Sequence, residues 1–189
     1  ITDKQALEEF IESLTDLAPN IERDIARLKT SPEDREIIAS LFRSVHNIKG
    51  DATLCKVELA VSIAHPIETV LSRLRDGEIK FSDILAEAIL LAIDRLELAV
   101  ESLCSGRSLA NLQLLELVEQ LVLLAQTAPD EIVASASTLI ETVTGFRPAA
   151  ENSQVLRGYR TTAQGLRTKQ QTNDDLGFFR SLAGQLEAR

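Results

Sequence analysis

Apolar residues recur every three or four positions along almost the whole chain, and no run alternates polar with apolar residues as a half-buried strand does. The spacing predicts an all-α protein. A first helix from Thr2 or Asp3 to Leu28 carries Leu7, Phe10, Ile11, Leu14, Leu17, Ile21, Ile25 and Leu28 on one stripe, with Pro19 placed to kink or divide it. Ser31-Pro32-Glu33-Asp34 reads as a start signal: a hydroxyl to cap an orphan amide, proline at the first helical position, and acidic groups at the positive helix end. The second helix is therefore expected from Pro32 to about Thr53, with Ile38, Leu41, Val45, Ile48 and Ala52 inward. A third spans about Val57 to Arg75 and stops at Asp76-Gly77, where glycine can adopt a left-handed cap. A fourth starts near Ser82 and reaches about Leu103. Four such helices with short links close a bundle around one core.

Ser105-Gly106-Arg107-Ser108 marks a boundary, dividing the chain into a unit over 1–104 and an additional helical region over 109–189. Further helices are expected at about Leu109 to Gln126, Asp130 to Thr144, Glu151 to Gln170 and Asn173 to Ala188. Leu112, Leu115, Val118, Leu121, Val122, Leu124 and Ala125 cover more than a narrow stripe, which fits either a buried helix joining the bundle or a homodimer interface. The second half has no histidine, so it does not repeat the chemistry of the first.

Composition narrows the partners. Of 189 residues, 44% are hydrophobic and 26% charged, enough to build a core and keep a charged surface. A net charge of -9, spread along the chain, disfavours nucleic acid and anionic membranes and points to a protein partner. The most apolar stretch, Leu109 to Ala125, is interrupted by Asn111, Gln113, Glu116, Glu119 and Gln120 and is a poor membrane span. Two cysteines without metal-ligand spacing, and no secretory n-region at the start, give the expectation of a reduced, cytoplasmic protein. The opening Ile1 and the lack of methionine lead us to expect a piece of a longer chain.

The chemistry concentrates in Leu41-Phe42-Arg43-Ser44-Val45-His46-Asn47-Ile48-Lys49-Gly50-Asp51-Ala52. His46, Lys49, Gly50 and Thr53 share one helix face, while Val45, Ile48 and Ala52 turn inward. A solvent-facing imidazole is a nucleophile at neutral pH, and an ammonium one turn away offsets the charge of a phosphoryl group on the ring. Gly50 costs the helix roughly 1 kcal/mol relative to alanine, and its use would be to leave the ring open to a bulky donor or acceptor. A metal site from His46, His65, Cys55 and Cys104 lacks any local chelate spacing, and Lys49 would repel the ion. Glu8, Glu9, Asp16, Glu22 and Asp24 read as a solvated helix face rather than an acid and base pair. No glycine-rich phosphate loop accompanies Lys49, so no self-contained kinase or hydrolase site is evident.

His46-Asn47-Ile48-Lys49-Gly50 resembles the HxxKG signature of the histidine phosphotransfer (HPt) family, particularly the phosphoacceptor domain of the CheA-type chemotaxis kinases. The resemblance covers about residues 3–104, including Leu59-Ala60 to Glu68 and the Leu74-Arg75-Asp76-Gly77-Glu78 turn. It implies a four-helix HPt-like bundle with His46 as phosphoacceptor, Lys49 as its charge partner, Gly50 as the small neighbour giving access, and Glu68 orienting the ring by a hydrogen bond. Arg43, Asn47, Thr53, Lys56 and His65 are candidates for support or docking. The implied partners are a histidine kinase and a response-regulator receiver domain; no cofactor is intrinsic, and the divalent metal belongs to the receiver. Three positions depart from the family pattern: Thr53 where glycine is frequent, Lys56 where glycine usually joins the second and third helices, and Pro66 beside His65 within the third helix, where it could bend the axis. The segment Leu176 to Arg189 resembles the opening helix of HD-type phosphohydrolase domains, whose metal ligands would lie beyond residue 189. The competing reading is a noncatalytic helical dimerisation or regulatory module, which leaves the joint presence of His46, Lys49, Gly50 and Glu68 unexplained.

Overall fold

The computed structural model describes residues 4–148, and the helices expected at 151–170 and 173–188, with the HD-like segment, lie outside them. Every regular element among the described residues is helical: α1 Lys4–Leu28, α2 Arg35–Leu54, α3 Glu58–Arg75, α4 Asp83–Ser105, α5 Leu114–Gln126 and α6 Ile132–Thr144, with single 3-10 turns at Ala110–Leu112 and Pro129–Glu131. Pro19 and Pro66 each remove one amide from the ladder, yet α1 and α3 run unbroken through them. Residues on either side of each proline are locked into the core, Leu14, Ile21 and Ile25 around one and Ile63, Ile67 and Val70 around the other. That burial outweighs one missing hydrogen bond per helix.

The second helix starts later than the sequence indicates. Asp34, not Ser31, is its cap, accepting hydrogen bonds from the amides of Glu36 and Ile37 at 3.0 and 3.1 Å. A carboxylate satisfies two orphan donors at a positive helix end better than one hydroxyl, and Ser31-Pro32-Glu33 forms the turn leading in, closed by Asp34 N–H to the Ser31 carbonyl.

Three helices end alike. Val57 N–H donates to Ala52 O, Glu78 N–H to Arg73 O, and Arg107 N–H to Ser102 O, each reaching back five residues across a left-handed residue. In α3 and α4 that residue is Gly77 or Gly106, but after α2 it is Lys56, at φ 56°. The position where the family resemblance expects glycine is thus one whose geometry favours glycine, and Lys56 occupies it under strain.

The packing order differs from the chain order. α1 lies between α2 and α4, α2 between α1 and α3, and α3 between α2 and α5; α6 then links α5 to α4. α3 and α4 touch only lightly, so the α5–α6 hairpin forms the wall between them. Leu114, Leu117, Val118, Leu121, Leu139 and Ile140 join Phe10, Ile48, Ile67, Leu71, Ile89 and Ile93 in one continuous apolar core. Leu112 and Val118, around which self-association was one expectation, are buried in this intrachain core; Val122 alone of that set is exposed. Arg73 ties the hairpin down, donating from Nη1 to the Ala125 carbonyl at 3.1 Å while Nη2 pairs with Glu78 at 2.8 Å.

One expectation for α1 fails. Asp24 is not part of a solvated acidic face but fully buried, flanked at 3.5 and 3.9 Å by the guanidinium groups of Arg23 and Arg27. Both arginines are more than half exposed, so the buried carboxylate faces charges that stay in water, and among the described residues neither of its oxygens accepts a hydrogen bond. At the far end of α1, Lys29 pairs with the buried Glu87 of α4 at 2.6 Å.

Lys56→Gly should raise stability by about 1 kcal/mol, or about 2–4 °C in thermal midpoint, because glycine relieves the left-handed strain; an unchanged or lower midpoint in a calorimetric scan would contradict the strain. Deleting α5 and α6 uncovers the facing sides of α3 and α4, so residues 4–105 should lose stability on the order of several kcal/mol relative to 4–148. Equal urea midpoints for the two lengths would show that α1–α4 are self-sufficient.

Candidate functional site

The antiparallel register of α2 against α3 is fixed by their apolar faces, Leu41, Val45 and Ile48 on one and Ile63, Ile67 and Leu71 on the other, all buried. That register leaves the outer edge of α2 beside the outer edge of α3. His46, one position past the inward Val45, has 57% of its side chain exposed. Glu68, one position past the inward Ile67, has only 16% exposed and lies between the two helices.

Glu68 joins the site. Its Oε1 is 3.3 Å from His46 Nδ1, and its Oε2 is 2.7 Å from the Lys49 ammonium. Burial pushes the Glu68 carboxyl up, but hydrogen bonds from Lys49 and His46 and the attraction of both outweigh it, so the group sits below its usual value of 4.5. The carboxylate is therefore charged wherever the protein is folded near neutrality, and it presents an acceptor to Nδ1. With the ring proton on Nδ1, the Nε2 lone pair is the free one.

Lys49 shares the Glu68 carboxylate with His46. Its ammonium is carried one turn from the ring, as the spacing requires, and it is paired to Glu68. Gly50 has an ordinary helical backbone, and a Cβ built on it would meet nothing within 4 Å. Neither backbone conformation nor packing among the described residues calls for glycine there, and the space lies one turn from the imidazole.

The remaining candidates are not drawn into this cluster. Thr53 spends its hydroxyl on the Lys49 carbonyl of its own helix at 2.8 Å. Arg43 and Asn47 are exposed on the neighbouring stripe of α2, Lys56 is exposed beyond its end, and His65 is exposed on α3 with no hydrogen bond or ion pair at its ring among the described residues. Asp51, part of the same motif, bonds the Ser13 hydroxyl and ties α2 to α1 beside the site.

Two residues enter that the residue chemistry alone did not single out. The Phe42 ring stacks on His46 with centroids 6.0 Å apart and planes 17° apart, and the Arg75 guanidinium lies 4.5 Å over the Phe42 ring. The four-residue spacing of Phe42 and His46 was a visible signal; the approach of Arg75 required the register of α3.

No group of three or more histidine, cysteine, aspartate or glutamate side chains among the described residues is placed to hold a metal ion. No helix among them is long and apolar enough to cross a membrane. Both cysteines are free thiols, and burial, reinforced by neighbouring carboxylates, raises Cys55 and Cys104 above the usual thiol value.

The chain is similar in sequence to known proteins. The chain is 32% identical over 130 residues to the chemotaxis protein CheA of Cereibacter sphaeroides, covering 67% of this chain and 18% of that protein. It is 29% identical over 91 residues to the sensor histidine kinase CheAY of Helicobacter pylori, 48% of this chain and 11% of that one. With the chemotaxis protein CheA of Rhizobium meliloti it shares 25% identity over 141 residues, 75% of this chain and 18% of that one. The chain thus spans less than a fifth of the length of these relatives. No solved structure matches it. Residues 5–99, the four helices that build and support the His46 site, match the Hpt domain, and the chain belongs to that family.

Proposed function

We propose that this chain is a phosphoryl carrier in which Nε2 of His46 accepts a phosphoryl group from a histidine kinase or a phosphorylated receiver and exchanges it with a receiver aspartate. The observation that carries this reading is the Glu68 carboxylate, which takes Nδ1 of an exposed histidine on one oxygen and the Lys49 ammonium on the other. Family membership supports the coarser statement by itself: the chain has a histidine phosphotransfer role in two-component signalling.

The chemistry follows from the tautomer. The Nε2 lone pair attacks phosphorus and forms the N–P bond as the bond to the donor's leaving oxygen breaks, the electron pair departing with that oxygen. The ring then carries positive charge, which the adjacent Glu68 carboxylate stabilises by holding the proton on Nδ1. Keeping that proton also keeps the imidazole a good leaving group, so the group passes on when an aspartate oxygen attacks. Lys49 faces both the carboxylate and the incoming phosphoryl charge, and Gly50 leaves room for the partner's active site. The divalent metal that neutralises the transferring group is assigned to the receiver. A cytoplasmic setting fits such partners and two free thiols.

Site-resolved mass spectrometry after incubation with phosphoramidate, or with a partner kinase and ATP, should find an acid-labile phosphate on His46. His46→Gln should retain its helicity and lose the label; undiminished labelling of the folded variant would overturn the assignment. Gly50→Ala should stabilise the protein by about 1 kcal/mol, while Gly50→Leu should slow transfer to a receiver without slowing that from phosphoramidate. Wild-type transfer rates for Gly50→Leu would remove the access role. The Glu68 contacts stabilise the fold above the ordinary carboxyl value of 4.5, and that contribution is lost as pH falls through the lowered folded value. The gap in thermal midpoint between wild type and Glu68→Gln should therefore hold steady from neutral pH down to about 5 and close below that; a gap that persists into acid would show that the charge contacts are not its origin.

A further inference from the structure

A half-exposed imidazole on a helix surface has several side-chain rotamers open to it, and one hydrogen bond at 3.3 Å to Glu68 restrains only one edge of the ring. A second restraint acts on the face of the ring. Phe42, one helical turn before His46, stacks nearly parallel to the imidazole at 6.0 Å and 17°. Phe42 is itself only partly buried, so it needs a restraint of its own, and Arg75 supplies it. The guanidinium lies 4.5 Å over the phenyl ring, within the range of a cation–π contact. Arg75 is held in turn: Nη2 donates to the Ser72 hydroxyl at 3.2 Å, and Nε approaches the Asp76 carboxylate at 3.3 Å. The ladder runs from the end of α3, across Phe42, to the nucleophile on α2.

We propose that Arg75, acting through Phe42, is a positioning residue that holds the His46 imidazole in the rotamer from which Nε2 attacks. This rests on the phosphocarrier reading above. Charge favours the same arrangement. Glu68 and Lys49 neutralise each other before phosphorylation, so the phosphoryl group adds roughly two negative charges to a balanced site. A cation over the Phe42 ring draws its π density away from the neighbouring anion. Lysine lacks the planar, delocalised guanidinium that suits an aromatic face.

Phosphoramidate is the probe for the test, because a donor this small needs no protein docking; its P–N bond breaks as ammonia leaves and the Nε2–P bond forms. With wild-type protein labelled on His46, Arg75→Gln and Phe42→Leu should label roughly tenfold or more slowly, the range expected when a reacting group loses its orientation. Phe42→Tyr, which keeps the ring, should restore most of the rate, and Arg75→Lys should restore only part. Nitrogen-15 spectra should show the His46 ring averaging between rotamers in the slow variants and fixed in wild type, with thermal midpoints little changed for the exposed Arg75 substitutions. Arg75→Gln and Phe42→Leu labelling at the wild-type rate, or a loss seen only with a protein donor, would overturn the positioning role while leaving the phosphocarrier reading intact. Failure of wild-type His46 to label would instead strike at that reading itself.

Discussion

A single carboxylate between two helices is the contact on which the site depends. Glu68 stands on α3, its two partners stand on α2, and its oxygens are divided between them, 3.3 Å to His46 and 2.7 Å to Lys49. No part of this arrangement survives a change of register. A rotation of α3 by one residue would carry Glu68 away from the groove and bring a buried apolar side chain, Ile67, to the surface in its place. The apolar faces that set the register therefore also set the chemistry. The charged groups contribute orientation, and the packing beneath them contributes the precision that orientation requires.

The helices beyond the first four matter for the same reason. α3 has α2 on one side and α5 on the other, and it meets α4 only lightly. Its C-terminal half, which carries Glu68 and Arg75, is secured by Arg73 reaching the last turn of α5. A helix that presents Glu68 to His46 on one edge is thereby clamped on the opposite edge by the hairpin. The matches to relatives over 130 and 141 residues are longer than the 5–99 span of the family match, so the likeness is not confined to the four-helix portion.

Much of this was legible in the sequence because the signals were local. Periodicity located all six described helices, Gly77 and Gly106 marked two of their ends, and the spacing of His46, Lys49 and Gly50 placed them on one outward face. The family resemblance, rather than any spacing rule, pointed to Glu68, since a contact between residues 22 positions apart depends on how two helices pair. What the sequence misjudged depends on packing in the same way. Asp24 looked like one more surface acid because its burial arises from the helices folded over it. Ser31 looked like a cap because it precedes Pro32, whereas the competing Asp34 captures two amides. Lys56 carries no turn signal of its own; the family resemblance, which expects glycine there, pointed to the left-handed backbone that the structure shows.

The proposed division of labour between the two ring nitrogens joins these observations: Nδ1 lies against Glu68, and in the proposed reading Nε2 is left to the phosphoryl group. Phosphorus–nitrogen coupling in phosphorylated, nitrogen-15-labelled protein reads this directly. The account predicts one phosphorus coupled to Nε2 of His46, with the proton retained on Nδ1. Phosphorus coupled to Nδ1, or to no nitrogen of His46, would contradict it.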